Sequence, residues 1–159
     1  MIKYIGLVFI LASAFIFSRE YEKKEKTRLL EIDEFLRLFS YMKTRISCFL
    51  SKKSEWASGF KSNSPLIAEF LEKARFAELS EAFSSVSDKL SLGEEKLMIS
   101  RFFESFGEGF KDGEIDSLET LISSFSKEGE IIRKNSLKNV KTAKTLATAI
   151  ALGIVILLL

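Results

Sequence analysis

The chain has 159 residues, room for about one domain, and its 24 Lys and Arg nearly balance its 22 Asp and Glu, giving a formal charge of +2. It has no histidine, so the side chain that serves most often as general base and metal ligand is missing, and its single cysteine, Cys48, excludes an internal disulfide. The near-neutral charge gives no reason to expect nucleic acid as a partner, and a single proline, Pro65, favours long helices.

The first predicted element is an apolar helix. Residues 4–17 carry no charge, and five basic residues follow within ten positions: Arg19, Lys23, Lys24, Lys26 and Arg28. A membrane span needs about 20 apolar residues, and flanking lysines extend a shorter run by reaching toward the headgroups. We therefore predict a span over residues 1–17. Two alternatives stay open: a buried core helix, and a cleaved signal peptide with Ala12-Ser13-Ala14 as cleavage site.

Residues 18–142 are predicted to form a helical domain. The first helix continues without a breaker to about Leu50, because apolar residues recur at steps of three and four: Leu29, Ile32, Leu36, Phe39, Met42, Ile46 and Phe49. Shorter helices follow over residues 56–60, over residues 65–74 after Asn63-Ser64, and over residues 79–90. Most of the fifteen phenylalanines are expected to fill the core of this domain.

The next helix is predicted over residues 94–110, with Leu97, Met98 and Phe102 near one side. It ends in a glycine- and acid-rich stretch, residues 105–116, which we name the corner. A calcium loop starting at Asp112 would need glycine and glutamate where the chain has Ser117 and Ser123, so a calcium hand is not predicted.

The corner is instead predicted to turn the chain between two helices. Its glycines end one helix, and Glu114 and Asp116 begin the last one, near Asp116, because acids are stabilised at a helix N-terminus. We regard the exposed tip of the corner as a candidate docking site, formed by Gly107, Gly109, Phe110, Asp112, Gly113, Glu114 and Asp116.

The last helix contains no proline and is predicted to run into a second membrane span over residues 143–159. Its only weak point is Gly129, because a glycine in a helix is about 1 kcal/mol less stable than an alanine. Basic residues precede this span as they follow the first. The positive-inside rule then places the central domain in the cytoplasm. The membrane-flanking basic residues are Arg19, Lys23, Lys24, Lys138, Lys141 and Lys144.

Small residues recur every four positions in the second span. At this spacing they let helices approach closely in lipid, so they are predicted to pack the two spans together or to pair them with other subunits, including further copies of this chain. The residues are Ala143, Ala147 and Ala151, and in a second row Ala149 and Gly153.

No catalytic, cofactor or metal site is predicted. The sequence contains no phosphate loop, no nucleophile elbow and no zinc-protease motif. Glu114 and Asp116 are explained as acids at a helix start, and Cys48 lacks any histidine partner that would activate it. These observations favour an interaction protein over an enzyme, with no small-molecule substrate.

Three stretches together resemble the stage III sporulation protein AB family of endospore-forming bacteria: the start MIKYIGLVFILASAFIF, the corner FGEGFKDGEID and the tail LGIVILLL. The resemblance covers nearly the full length. In the corner, Gly107 and Phe110 match the first glycine and the leucine of the family pattern. Lys111 stands at the position of its second glycine, and Leu118 at that of its glutamine.

The resemblance implies a fold similar to the cytoplasmic domain of the inner-membrane platform protein of type II secretion and type IV pilus systems. It also implies a place, on the mother-cell side, in a multi-protein channel between mother cell and forespore, beside a secretion-type ATPase. The predicted fold class is all-α: an antiparallel helical bundle whose long N- and C-terminal helices continue into two membrane spans. The predicted function is a non-enzymatic membrane platform that docks the ATPase and sister subunits. The alternative is a signal-peptide-cleaved, tail-anchored extracytoplasmic binding protein.

Overall fold

The structure, a computed structural model, describes residues 2–49, 53–107 and 111–158. These ranges contain helices and no strand, so the predicted all-α fold class is confirmed. The helices are, in chain order, α1 (Ile2–Phe49), α2 (Lys53–Gly59), α3 (Pro65–Ala74), α4 (Leu79–Ser87), α5 (Glu95–Ser105) and α6 (Lys111–Leu158).

Helix α1 is continuous for 48 residues. After Gly6 its sequence contains neither glycine nor proline, so nothing in it favours a break. Lys26 pairs with Glu22 one turn earlier at 2.9 Å, a spacing at which opposite charges stabilise a helix. The described helix extends to Phe49, and the predicted end near Leu50 lies outside the described residues.

Helix α3 begins where the sequence predicts. Ser64 has an extended backbone (φ −91°, ψ 123°) and Pro65 occupies the first turn, where its missing N–H leaves no hydrogen bond unmade. The buried face of α3 consists of Ile67, Phe70, Leu71 and Ala74, at the three- and four-residue spacing of a core-facing helix.

Packing divides the chain into two units. Unit 1 comprises Met1–Thr27 and Ile131–Leu159, and unit 2 comprises Arg28–Glu130. These boundaries follow packing and differ from the membrane boundaries at residues 17 and 142, which stay predictions.

The core of unit 2 is a cluster of phenylalanine rings. Neighbouring centroids lie 5.1–6.5 Å apart, within the range that edge-to-face and offset stacking favour. Phenylalanines therefore fill this core, but the expectation that most of the fifteen do so is not confirmed, because seven are shown there. These seven, which form the aromatic cluster, are Phe35, Phe39, Phe70, Phe83, Phe102, Phe103 and Phe125.

Gly129 of α6 also packs within unit 2. A Cβ atom at this position would lie 3.0 Å from Cγ2 of Ile32, so the glycine lets the two helices approach closely. The residue that looks like a weak point in the helix is a packing position.

The structure corrects the predicted face of α5. The buried side chains are Glu95, Ile99, Phe102 and Phe103, whereas Leu97 is exposed. Leu97 lies two residues before Ile99, about 200° around the helix, so burying Ile99 and the two phenylalanines turns Leu97 outward.

The structure also corrects the predicted start of the last helix. Helix α6 begins at Lys111 instead of near Asp116, and Gly113 therefore lies inside its first turn. Asp112 and Glu114 flank this glycine, and both acids complement the partial positive charge of the helix N-terminus.

Across the described ranges, none of the helices has a stretch that is both long enough and apolar enough to qualify as a transmembrane segment. The two predicted spans therefore stay predictions.

Candidate functional site

Buried carboxylates are the strongest chemical feature of unit 2. Glu31, Glu34 and Glu95 are almost fully buried, although glutamate normally stays in water. A buried charge must be paired or hydrogen-bonded, so the partners of each carboxylate indicate its role.

Glu34 of α1 binds the segment between α2 and α3. Its Oε2 accepts hydrogen bonds from the Ser62 hydroxyl at 2.8 Å and the Asn63 backbone N–H at 3.0 Å, and its Oε1 accepts one from the Asn63 side-chain amide at 3.0 Å. Arg37 forms an ion pair with the same carboxylate. Burial alone would raise the pKa of Glu34, but these hydrogen bonds and the arginine charge hold it below its usual value. Glu34 therefore stays ionised and fixes this segment against α1.

Glu31 and Glu95 hold the turn between α4 and α5. The backbone N–H of Ser91 donates to Glu31 Oε2 at 2.7 Å, and the backbone N–H of Gly93 donates to Glu95 Oε2 at 2.5 Å. Arg28 of α1 pairs with Glu95 Oε1 at 2.6 Å. Desolvation raises the pKa of Glu31 above its ordinary value, and the backbone N–H bonds that it accepts only partly oppose this effect.

The turn between α4 and α5 is also restricted sterically, at Gly93. A Cβ atom on Gly93 would lie 2.9 Å from Nη2 of Arg28 and 3.3 Å from Oε2 of Glu95. Any larger residue would push the arginine away from its carboxylate. The turn is therefore built around the ion pair.

The carboxylates thus anchor chain segments. Within the part of the chain that the structure describes, no group of three or more His, Cys, Asp or Glu side chains is arranged to hold a metal ion. These anchors were not predicted from the sequence, although a signal was present. Glu31, Phe35, Leu38 and Met42 repeat at steps of four, three and four, so Glu31 shares the core face of α1.

Gly107 of the corner lies just after the end of α5 at Ser105. Its φ of 98° lies in the left-handed region, which glycine adopts without the steric penalty of a Cβ atom. No atom lies within 4 Å of the position of an added Cβ, so backbone conformation and not space accounts for the glycine. Gly109 and Phe110 of the predicted docking tip lie outside the described residues.

The other residues of the predicted tip lie in the first two turns of α6. Asp112, Gly113 and Asp116 are exposed and Glu114 is half-buried. The structure therefore presents two carboxylates to solvent at the N-terminus of a long helix. A docking role for them stays a prediction.

The small residues of α6 separate into two groups in unit 1. Ala151 is buried and Ala143 and Ala147 are half-buried, whereas Ala149 and Gly153 are exposed. Only the first row thus lies on the packed side of this unit, and a Cβ atom on Gly153 would meet nothing within 4 Å.

The predicted membrane-flanking basic residues all belong to unit 1. Lys144 Nζ lies 2.6 Å from Glu22 Oε2, and the guanidinium of Arg19 lies 5.4 Å from the ring centre of Phe15. The hydrogen bonds from Lys144 and then Lys26 lower the pKa of Glu22 to about 2. The remaining basic residues of this set, Lys23, Lys24, Lys138 and Lys141, are exposed.

The chain matches the family model for stage III sporulation protein AB over residues 3–159. It matches no curated protein and no solved structure, so the relationship in fold to secretion platform proteins stays a prediction. The family match extends over both units and includes the corner and the apolar tail. The chain therefore belongs to the stage III sporulation protein AB family.

Proposed function

We propose that this chain is a non-enzymatic platform subunit of a sporulation-specific, secretion-like channel between mother cell and forespore. In this proposal unit 1 is embedded in the cell membrane through two spans. Unit 2 is a cytoplasmic domain on the mother-cell side that docks a secretion-type ATPase and sister subunits.

The uneven distribution of exposed apolar side chains carries the proposal. Among the described residues, fourteen large hydrophobic side chains are exposed, and eleven of them belong to unit 1. Among its described residues, unit 2 exposes only Leu30, Phe76 and Leu97. Soluble proteins rarely expose so much apolar surface in one region, whereas a membrane-embedded unit needs it.

The charges support the same division. Unit 1 contains ten basic and three acidic residues, a formal charge of +7, whereas unit 2 contains fourteen basic and nineteen acidic residues, a formal charge of −5. Basic residues beside apolar segments favour the cytoplasmic side of a membrane. An acidic domain is repelled from anionic lipid and stays available to protein partners.

Two exposed apolar residues of unit 2 support its docking role. Phe76 lies just after α3 with 86 % of its surface exposed, and Leu97 lies on the outer face of α5 at 55 %. The Arg75 guanidinium lies 5.6 Å from the Phe76 ring centre. Aromatic residues and arginine are both enriched in protein interfaces relative to the rest of the surface.

Cysteine labelling tests the topology. A Cys48→Ser background with Glu81→Cys places one thiol on the exposed side of α4. We expect a membrane-impermeant maleimide to label it only after the cells are permeabilised, and the protein to stay in the membrane fraction through alkaline carbonate washing. Labelling in intact cells would support the extracytoplasmic alternative, and release by carbonate would refute the membrane assignment.

Co-purification tests the docking. Phe76→Ser should reduce recovery of the ATPase with the tagged chain, because the exposed ring is removed without opening the core. Lys127→Ser, also at an exposed position of unit 2, is the control and should leave recovery unchanged. Equal recovery with both variants would remove Phe76 from the docking surface.

A further inference from the structure

We propose that the groove between α1 and α6 in unit 1 binds one anionic phospholipid, with an acyl chain along its floor and the phosphate at its polar end. The groove has a volume of about 940 Å³. This inference rests on the proposed membrane location of unit 1 and adds a ligand site to it.

Side chains of both helices line the groove. Helix α1 contributes Ser13, Phe17 and Tyr21 at intervals of one turn, and α6 contributes a continuous strip from Asn139 to Ile154. Binding sites for small ligands commonly have volumes of about 300–1,000 Å³ and mostly apolar walls with a few polar groups. The groove fits this description in size and in lining.

Polarity changes along the groove. Tyr21, Asn139 and Thr142 lie at one end, and the α6 strip continues toward Ile150 and Ile154 with aliphatic side chains only, whereas α1 adds Phe17 and the polar Ser13. The small residues Ala143, Ala147 and Ala151 belong to this aliphatic part. From Ala143 to Ile154 the helix rises about 16 Å, close to half of the roughly 30 Å hydrocarbon core of a bilayer. The aliphatic part therefore matches the depth of one leaflet.

The polar end has side chains available for a headgroup. In the described part of the chain, no hydrogen bond engages the side chains of Tyr21, Asn139 or Thr142. The hydroxyls of Thr145 and Thr148, in contrast, donate to backbone carbonyls one turn earlier, at 3.0 and 2.9 Å. The groove thus presents uncommitted polar groups next to its apolar walls.

Charge selects the type of lipid. Lys138 and Lys141 are exposed directly beside Asn139 and Thr142, and residues 131–159 contain no acid. Lys144 is paired with Glu22, so Lys138 and Lys141 are the exposed lysines adjacent in sequence to the lining residues Asn139 and Thr142, while Glu20 and Glu22 flank Tyr21 on α1. Basic pockets beside membrane helices on the cytoplasmic side are known to recognise anionic headgroups. A helix from a second copy would fill apolar space but would not explain this polar, basic end.

Native mass spectrometry of the full chain in detergent tests the proposal, with phosphatidylglycerol and phosphatidylcholine added in competition. We expect one phosphatidylglycerol per chain. Lys138→Gln with Lys141→Gln should reduce the preference for phosphatidylglycerol about 30-fold, because each lysine near an anionic headgroup contributes about 1 kcal/mol.

Two substitutions on α6 form a matched pair. Ala147→Leu fills the groove and should abolish the bound lipid, whereas Ala149→Leu places the same side chain on the exposed side and should retain it. Circular dichroism of both variants verifies that helix content is unchanged. Equal retention of the two lipids by the wild type, or lipid bound to Ala147→Leu as to the wild type, would overturn the proposal.

The proposal would also be overturned if the wild type formed a lipid-free dimer that Ala147→Leu dissociates, because the groove would then bind a second copy of the chain. Carbonate extraction of the wild type separates this inference from the proposed function. A chain that stays in the membrane but binds no phosphatidylglycerol refutes only the lipid site, whereas a chain that carbonate releases refutes the membrane location itself.

Discussion

Replacing Glu31 tests whether the buried carboxylates stabilise the fold by holding turns. Glu31→Ala leaves the backbone N–H groups of Ser91 and Leu92 without their acceptor. An unsatisfied buried donor costs about 1–3 kcal/mol, and Glu31 is only 1 % exposed, so we expect a loss of about 2–4 kcal/mol in the free energy of unfolding. Glu31→Gln keeps an acceptor oxygen and removes the charge, so it should cost at least about 1 kcal/mol less than Glu31→Ala.

The pH dependence gives a second, independent readout. Burial raises the folded-state pKa of Glu31 above its unfolded value, so protonated Glu31 favours the folded state. That contribution is fully present below the unfolded pKa of about 4.5 and is lost as the pH rises through the folded pKa. Relative to Glu31→Gln, the wild type should therefore become less stable on going from pH 4 to pH 7.

Urea unfolding followed by circular dichroism at pH 4, 5, 6 and 7 measures both effects. Glu128→Gln, at an exposed position of α6, controls for the loss of one negative charge and should change stability by less than about 0.5 kcal/mol. If Glu31→Ala were as stable as Glu31→Gln, the bonds to the turn between α4 and α5 would contribute nothing and the anchoring role would be wrong.

Three further predictions concern other parts of the chain. Gly107→Ala should lower the free energy of unfolding by about 1–2 kcal/mol, because Gly107 has a left-handed backbone. Gly113→Ala lies at an open helical position and should raise that free energy by up to about 1 kcal/mol. Equal effects of the two variants in urea unfolding would contradict the corner geometry. In the same assay, Phe103→Ala should lower the free energy of unfolding by about 3–5 kcal/mol and Phe76→Ala should leave it almost unchanged, because only Phe103 belongs to the aromatic cluster. Similar losses of stability for the two variants would argue against that core. An NMR titration should give Glu22 a pKa of about 2 at low salt, so its ion pairs stabilise the folded state above about pH 4.5, and this stabilisation is lost as the pH falls to 2. High salt should raise this pKa by screening the ion pairs. A pKa in the ordinary range at low salt would exclude these ion pairs.

Periodicity predicted the long helices well. The apolar steps from Ile32 to Ile46 lie within α1, and Ser64-Pro65 correctly marks the start of α3. These signals succeed because they reflect local rules: one face toward the core, and one residue pair suited to the first turn.

The start of α6 was predicted five residues too late. Three glycines between residues 105 and 116 suggest a long break, yet Gly113 is helical. A glycine costs only about 1 kcal/mol inside a helix, and the favourable position of Asp112 and Glu114 at the N-terminus opposes that cost. Glycine count alone overestimated the length of the corner.

The buried carboxylates show a different limit. No motif in the sequence marks Glu31 and Glu34 as anchors, because their partners Ser62, Asn63 and Ser91 lie far away along the chain. Helical spacing places Glu31 on the core face, but only the fold shows which backbone groups meet it. Long-range hydrogen bonds of this kind leave no short motif in a sequence.

The aromatic cluster has a consequence for the order of folding. Phe35 and Phe39 come from the first helix and Phe125 from the last, and their rings meet at centroid distances of 5.8–6.5 Å. Helices α3, α4 and α5 contact their sequence neighbours and can associate early, because local contacts close short loops. During synthesis, α6 is the last helix to emerge, so the rings of α1 remain uncovered on the side of Phe125 until then. We expect the nascent chain to expose an aromatic surface of the kind that promotes aggregation and recruits chaperones.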